Sequence, residues 1–145
     1  MNNQLLTKPT KASETVRSWH LVDADGKIIG RVATQIAQLL IGKSKPDFSR
    51  NIDGGDIVVV VNASKIRSTG KKEKTKLYTA YSGFPGGMKA KPLWKIREEK
   101  PTEIIRHAVW GMLPKNKLRH RMITRLHIYE SDTHPYADRF MTKGK

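Results

Sequence analysis

Three stretches decide the fold: Trp19-His-Leu-Val-Asp23, Ile28-Ile-Gly-Arg-Val-Ala-Thr-Gln-Ile-Ala-Gln-Leu-Leu40 and Ile57-Val-Val-Val-Val61. The first is a short run that reads as a strand and ends at the turn signal Asp25-Gly26. The second puts Ile28, Ile29, Val32, Ala33, Ile36, Ala37 and Leu40 on one face at the helical period. Arg31, Thr34, Gln35 and Gln38 occupy the other face, and Gly42 supplies a C-cap. The third is an unbroken β-branched run, the pattern of a strand buried on both faces in a parallel sheet covered by helices. Strand, helix and strand in this order predict a βαβ unit with a right-handed crossover in a layered α/β domain.

Working outward, residues 43–55 read as a polar loop with Pro46 and Gly54-Gly55, and Gly70-Lys71-Lys72 as a turn. Leu77–Tyr81 is a candidate strand, followed by the Gly-rich loop Ser82-Gly-Phe-Pro-Gly-Gly87. Pro92 can open a short helix through Trp94, Lys95 and Glu98. Pro101 suits the first position of another helix, whose stripe is Ile104, Ile105, Ala108, Val109 and Met112. That helix ends in Gly111-Met-Leu-Pro-Lys-Asn-Lys117, a rigid basic turn, and residues 126–129 form a last strand. The expected organisation is a basic arm over residues 1–18, one domain over 19–137 and a basic tail over 138–145. A chain of 145 residues fits one domain that buries roughly two thirds of its unfolded surface.

The chain carries 28 Lys and Arg against 13 Asp and Glu, a formal charge of +15. Residues 19–61 are neutral, whereas residues 62–100 carry +8 and residues 101–145 carry +5. A neutral folding core thus precedes a basic surface, and the excess points to a polyanionic partner. There is no cysteine, which removes disulfides, thiolate nucleophiles and Cys-based zinc sites. The longest apolar run, Ile57–Val61, is far short of the roughly 18 residues of a membrane span, so no membrane partner is expected.

Motifs for chemistry fail on inspection. Gly42-Lys43-Ser44 resembles the end of a P-loop, but the required upstream glycine is Ala37, and these residues close a helix where a P-loop opens one. The Gly-rich loop lacks dinucleotide-binding spacing; bare backbone there suits close approach to phosphate, or an ordinary turn. None of the histidines 20, 107, 120, 127 and 134 forms a zinc-hydrolase motif, and Glu98-Glu99 point to different helix faces. No metal, cofactor or small-molecule substrate is expected.

The cations fall into clusters. Lys65, Arg67, Lys71, Lys72, Lys74 and Lys76 precede Tyr78 and Tyr81, and Lys89, Lys91, Lys95 and Arg97 continue them. Lys115, Lys117, Arg119, Arg121 and Arg125 form a second group around His120. Lysine offers point charges to phosphate, arginine adds bidentate bonds, and tyrosine stacks on unpaired bases. Cations spread over loops and a helix end suit folded RNA better than a straight DNA groove. An RNA-processing enzyme and a general nucleic-acid binder are the rival readings; His120 and His134 are the only acid–base candidates for the former.

Several segments together resemble one family. Trp19-His-Leu-Val-Asp-Ala24, Ile29-Gly-Arg-Val-Ala33, Asp53-Gly-Gly-Asp56, Asn62-Ala63, Tyr81-Ser-Gly83 with Gly86-Gly87, Ala108-Val-Trp-Gly-Met-Leu-Pro-Lys-Asn116, Leu126-His-Ile-Tyr129 and His134-Pro135 occur in the order of the bacterial-type large-subunit ribosomal protein thirteen family. The resemblance covers residues 19–137. It implies a three-layer α/β/α fold around a four-stranded, mainly parallel sheet. It also implies a non-catalytic constituent of the large subunit that binds ribosomal RNA early in assembly, beside neighbouring large-subunit proteins. The expected place is the ribosome of the cytoplasm, with an organellar ribosome left open. The RNA-binding candidates are Lys43, Lys45, Arg50, Lys65, Arg67, Lys71, Lys72, Lys74, Lys76, Tyr81, Ser82, Gly83, Gly86, Gly87, Lys89, Lys115, Asn116, Lys117, Arg119, His120, Arg121, Arg125 and His134. One departure stands out: the family's usual Leu-Gly-Arg after the basic turn is Leu118-Arg119-His120 here.

Overall fold

A computed structural model describes residue 11 and residues 14–141. Most of the expected N-terminal arm and the end of the expected C-terminal tail lie outside the described residues. The chain forms β1 (Trp19–Asp23), α1 (Ile29–Ile41), β2 (Ile57–Val61), a 3-10 turn (Ala63–Lys65), α2 (Lys72–Thr75), β3 (Leu77–Tyr81), β4 (Met88–Pro92), α3 (Leu93–Glu99), α4 (Pro101–Met112), α5 (Arg119–Thr124), β5 (Leu126–Ile128) and α6 (Ala137–Met141). The βαβ unit is present. β1 and β2 run parallel with Trp19 opposite Ile57 and Asp23 opposite Val61. β5 joins the far side of β2, also parallel, with Val58 opposite Leu126.

β2 is therefore the central strand, which explains its composition. A strand flanked on both edges and covered on both faces has no place for a polar side chain. Val58, Val59, Val60 and Val61 are all buried. Val22, Val58, Val60 and Leu126 meet Val32, Ala33, Ile36, Ala37 and Leu40 of α1 and Ile105 and Val109 of α4 in one core. α1 ends as read: Gly42 takes φ 78°, and its N–H returns to the carbonyls of Gln38 and Leu39. Pro101 opens α4 at its first turn, where a missing N–H costs nothing.

One expectation needs correction. Among the described residues the parallel sheet has three strands, in the order β1-β2-β5. Leu77–Tyr81 is a strand, but it pairs antiparallel with Met88–Pro92 in a separate two-stranded ribbon. The Gly-rich loop turns the chain straight back: Gly83 and Gly86 sit at φ 90° and 74°, and Ser82 N–H reaches the Gly87 carbonyl at 3.2 Å. A tight reversal gives an antiparallel neighbour, whereas joining the parallel sheet requires a crossover. The two faces are covered unequally: α1 and α4 pack on one, and among the described residues the short α6 and a group of rings lie against the other. There Trp19 lies 5.0 Å from Tyr136, and its ring also meets those of His127 and Phe140.

Candidate RNA-binding surface

The surface rests on a buried junction in which Asp53-Gly-Gly-Asp56 crosses the C-terminal end of α1. Gly55 passes so close to the helix that a Cβ there would stand 1.7 Å from the Leu40 carbonyl oxygen. Asp56 N–H bonds the Leu39 carbonyl at 3.0 Å, and Arg125 Nη2 bonds the Leu40 carbonyl at 3.1 Å. Two of the carbonyls that every helix leaves unpaired at its end are satisfied this way. Arg125 also grips Asp53 through two nitrogens, with Nη2 to Oδ1 at 2.6 Å. Asp56, 5% exposed, receives Ser18 N–H at 3.0 Å, lies 2.8 Å from His20 Nε2 and is paired with Lys45 Nζ at 2.5 Å. Burial pushes the Asp56 carboxyl up, but the hydrogen bonds from Lys45, Ser18 and His20 together hold it below the usual carboxylate range.

This junction removes two residues from the free cations. Arg125 is 8% exposed and its donors are committed to Asp53, Leu40, Asp56 and Arg121, so it bolts the end of α1 to the loop at Asp53. Lys45 is held by Asp56 and by the carbonyls of Val16 and Gly54. The sequence clue was Asp53 and Asp56 themselves, two acids beside a glycine pair in a basic chain.

On the rim of the junction, Lys43 and Arg50 are exposed, as are Lys115, Asn116 and Lys117 in the turn after α4. Asn116 Oδ1 accepts the N–H of Arg119 at 3.2 Å and so starts α5, a helix that sequence reading missed inside a basic cluster. Arg121 is exposed on α5, and His120, also exposed, sets its ring edge-on to Trp110 at 5.1 Å. The Arg119 guanidinium lies 3.9 Å from the centre of the Trp110 ring and donates to the Trp110 carbonyl. Its Nε is buried without a partner. His134 is half-buried, with its ring stacked on Phe140.

The β3–β4 ribbon forms the second part of the surface. Its base is anchored: Leu93 N–H bonds the Lys76 carbonyl at 2.9 Å, Tyr78 packs on His107, and Lys91 pairs with Glu99 at 2.7 Å. Its end is bare, with Tyr81 68%, Phe84 73% and Met88 67% exposed beside Lys89. Ser82, Gly83 and Gly86 are exposed in the loop between, and Gly87 is half-buried against Ser82. Lys71, Lys72, Lys74 and Lys76 line the approach to the ribbon, and Arg67 stands free of any ion pair among the described residues. Lys65 is paired with Asp25 at 3.4 Å, both exposed.

The acids are placed differently. Asp53 and Asp56 are inside the junction, Glu73 is paired with Arg97, and Asp23 is bound by Asn62 Nδ2 at 2.9 Å. That hydrogen bond, then one from Asp25 N–H, holds the Asp23 carboxyl below its ordinary value. With Asp53, Asp56 and Glu73 each matched to a cation, the unpaired cations of the loops and ribbon dominate the local field. The described residues contain no group of His, Cys, Asp and Glu suited to a metal ion. No described helix is long and apolar enough to cross a membrane.

Comparison with known proteins adds the deciding observation: residues 17–135 match the model of the family described as ribosomal protein L13. This chain belongs to the ribosomal protein L13 family. It is 50% identical over 130 residues to the large ribosomal subunit protein uL13 of Geobacter sulfurreducens, covering 90% of this chain and 91% of that protein. The uL13 proteins of Clostridioides difficile (51% identical, 88% of this chain and 89% of that one) and Chloroflexus aggregans (50%, with the same coverage) are similarly alike. The L13 family is structural and non-enzymatic, which removes the RNA-processing enzyme from consideration. Arg119, which stands where the family resemblance leads one to expect glycine, follows a residue in helical backbone and needs no left-handed φ. A side chain therefore fits there without strain.

Proposed function

We propose that this chain is a structural constituent of the large ribosomal subunit that binds large-subunit ribosomal RNA and supports early subunit assembly and translation. The observation that carries this is the distribution of charge within a member of the L13 family: Asp53, Asp56, Glu73 and Glu99 are taken up by basic side chains, while Lys43, Arg50, Arg67, Lys71, Lys72, Lys74, Lys89, Lys115 and Lys117 are exposed with no ion-pair partner among the described residues. Lys43, Arg50, Lys115, Lys117, His120 and Arg121 form one contact region, and Arg67, Lys71, Lys72, Lys74, Lys76, Tyr81 and Lys89 with the Gly-rich loop form the other. Lysines fix phosphates, and Tyr81 is free to stack on an unpaired base. The α/β core holds both regions in a fixed relation, so binding selects RNA already folded to match. Neighbouring large-subunit proteins would share this site of assembly, in the ribosome of the cytoplasm.

Gradient sedimentation of cell lysate at low and moderate salt tests the proposal. The chain is expected to travel with large subunits and their precursors and to stay there as salt rises. Recovery at the top of the gradient, or equal affinity for unrelated duplex DNA, would contradict it.

A further inference from the structure

A cavity of about 350 Å³ opens where the end of α1, the loop at residues 48–52, the turn after α4 and α5 converge. Its floor is apolar, made by Ile41, Ile52, Met112 and Met122, with the ring of Phe48 in its wall. Its rim is cationic, from Lys43 and Arg50, and neither has an ion-pair partner among the described residues. Asn116 stands at the same rim with its Oδ1 already taken by Arg119 N–H, which leaves its amide N–H groups to donate. The volume falls near the lower end of small-ligand sites, about 300–1,000 Å³.

An apolar slot with an aromatic wall, two unpaired cations and one amide donor matches the chemistry of a single nucleotide. The base is flat and apolar on its faces, carries acceptors on its edge, and is tethered to an anionic phosphate. A protein side chain of that size would leave both cations unanswered. We infer that this cavity receives one unpaired nucleotide of the bound RNA, its base against Phe48 and the two methionines and its phosphate at Lys43 and Arg50. The inference rests on the RNA-binding reading above and adds to it a pocket that reads a base, beside surfaces that hold phosphates.

The test uses the full chain with labelled isoleucine and methionine methyl groups, titrated with AMP, GMP, CMP and UMP and, separately, with ribose 5-phosphate. The methyls of Ile41, Ile52, Met112 and Met122 are expected to shift with at least one nucleotide and to stay in place with ribose 5-phosphate. Phe48→Ala should abolish the shifts and weaken binding to purified large-subunit RNA about 5- to 100-fold at fixed salt, the effect of losing one aromatic–base stack. The salt slope should not change, because no phosphate contact is removed. Phe48→Trp, which keeps a stacking face, should restore both. If the RNA binds normally while the methyls stay silent, or move equally with ribose 5-phosphate, or if Phe48→Ala binds as tightly as the unaltered chain, the pocket is not a base site. Failure of the unaltered chain to bind the RNA at low salt would instead sink the RNA-binding reading, and this inference with it.

Discussion

Gly55 and Gly54 are neighbours with different obligations. A Cβ on Gly55 collides with helix backbone at Leu40, while one on Gly54 meets nothing within 4 Å. Backbone cannot swing aside as a side chain can, so Gly55→Ala must shift α1 or break the Arg125 and Asp56 bonds to its carbonyls. Thermal unfolding should show Gly55→Ala strongly destabilised, by about 3 kcal/mol or more, and Gly54→Ala within about 1 kcal/mol of the parent. Asp56 makes a second residue-scale prediction. Its native carboxyl titrates below the ordinary value, so its contribution is fully present above an unfolded pKa of about 4 and is lost as pH falls through the lower native value. Melting temperature recorded from neutral pH down to about 2 should therefore fall along an acid limb that Asp56→Asn flattens, at the expense of lower stability at neutral pH. Arg119 belongs to this scale too: no sequence pattern distinguished a cation stacked on Trp110 from one facing solvent, because the distinction depends on a ring nine residues earlier.

Elements were read with uneven success, and the reasons are physical. α1 shows a complete apolar stripe and a glycine stop, so local sequence and tertiary burial agree residue by residue. Leu40 is fully buried in that stripe, and Leu40→Ala should cost about 2–5 kcal/mol in chemical denaturation. A change under 1 kcal/mol would place that face outside the core. α5 was hidden because its apolar residues are few in a run dominated by Arg and His, and its start is marked only by Asn116. β4 was hidden because Met-Lys-Ala-Lys-Pro carries no buried face to write into a pattern. A two-stranded ribbon with both faces in water is marginal alone, and its anchored base and the RNA partner proposed above supply what its composition lacks. The sheet itself misled in the opposite direction: one candidate strand was real, but its partner is the next segment and not the core sheet.

At the scale of the whole molecule, charge is sorted by depth. The clusters named from sequence are mostly exposed, but Arg125 and Lys45 are spent on holding the end of α1 to β2. Substitutions at these two kinds of cation should separate cleanly. Lys115→Ala with Lys117→Ala should leave the melting temperature unchanged and reduce the salt slope of RNA binding by about one and a half to two units. Arg125→Ala should do the reverse, costing about 3–5 kcal/mol of stability by taking from the buried Asp53 its two-nitrogen partner and leaving it only the more distant Arg17, at 3.6 Å. Binding isotherms over a range of salt and parallel melts would check both. A slope unaffected by the lysine pair would take that turn out of the contact surface.

The sequence by itself determined the βαβ unit, the central buried strand, the ends of α1 and α4, the cationic character of the surface and the family. Each of these is written in local terms: periodicity, β-branching, glycine and proline punctuation, net charge and short motifs in order. Only the tertiary structure decided that the parallel sheet has three strands among the described residues, that the Gly-rich segment stands out as a ribbon, and which cations have no ion-pair partner there. Those outcomes depend on partners distant in sequence, such as Arg125 meeting Asp53 and Leu40. A lysine or arginine reads the same along the chain whether it faces water or a buried carboxylate. What differs is the desolvation that packing imposes and the partner that packing brings within reach.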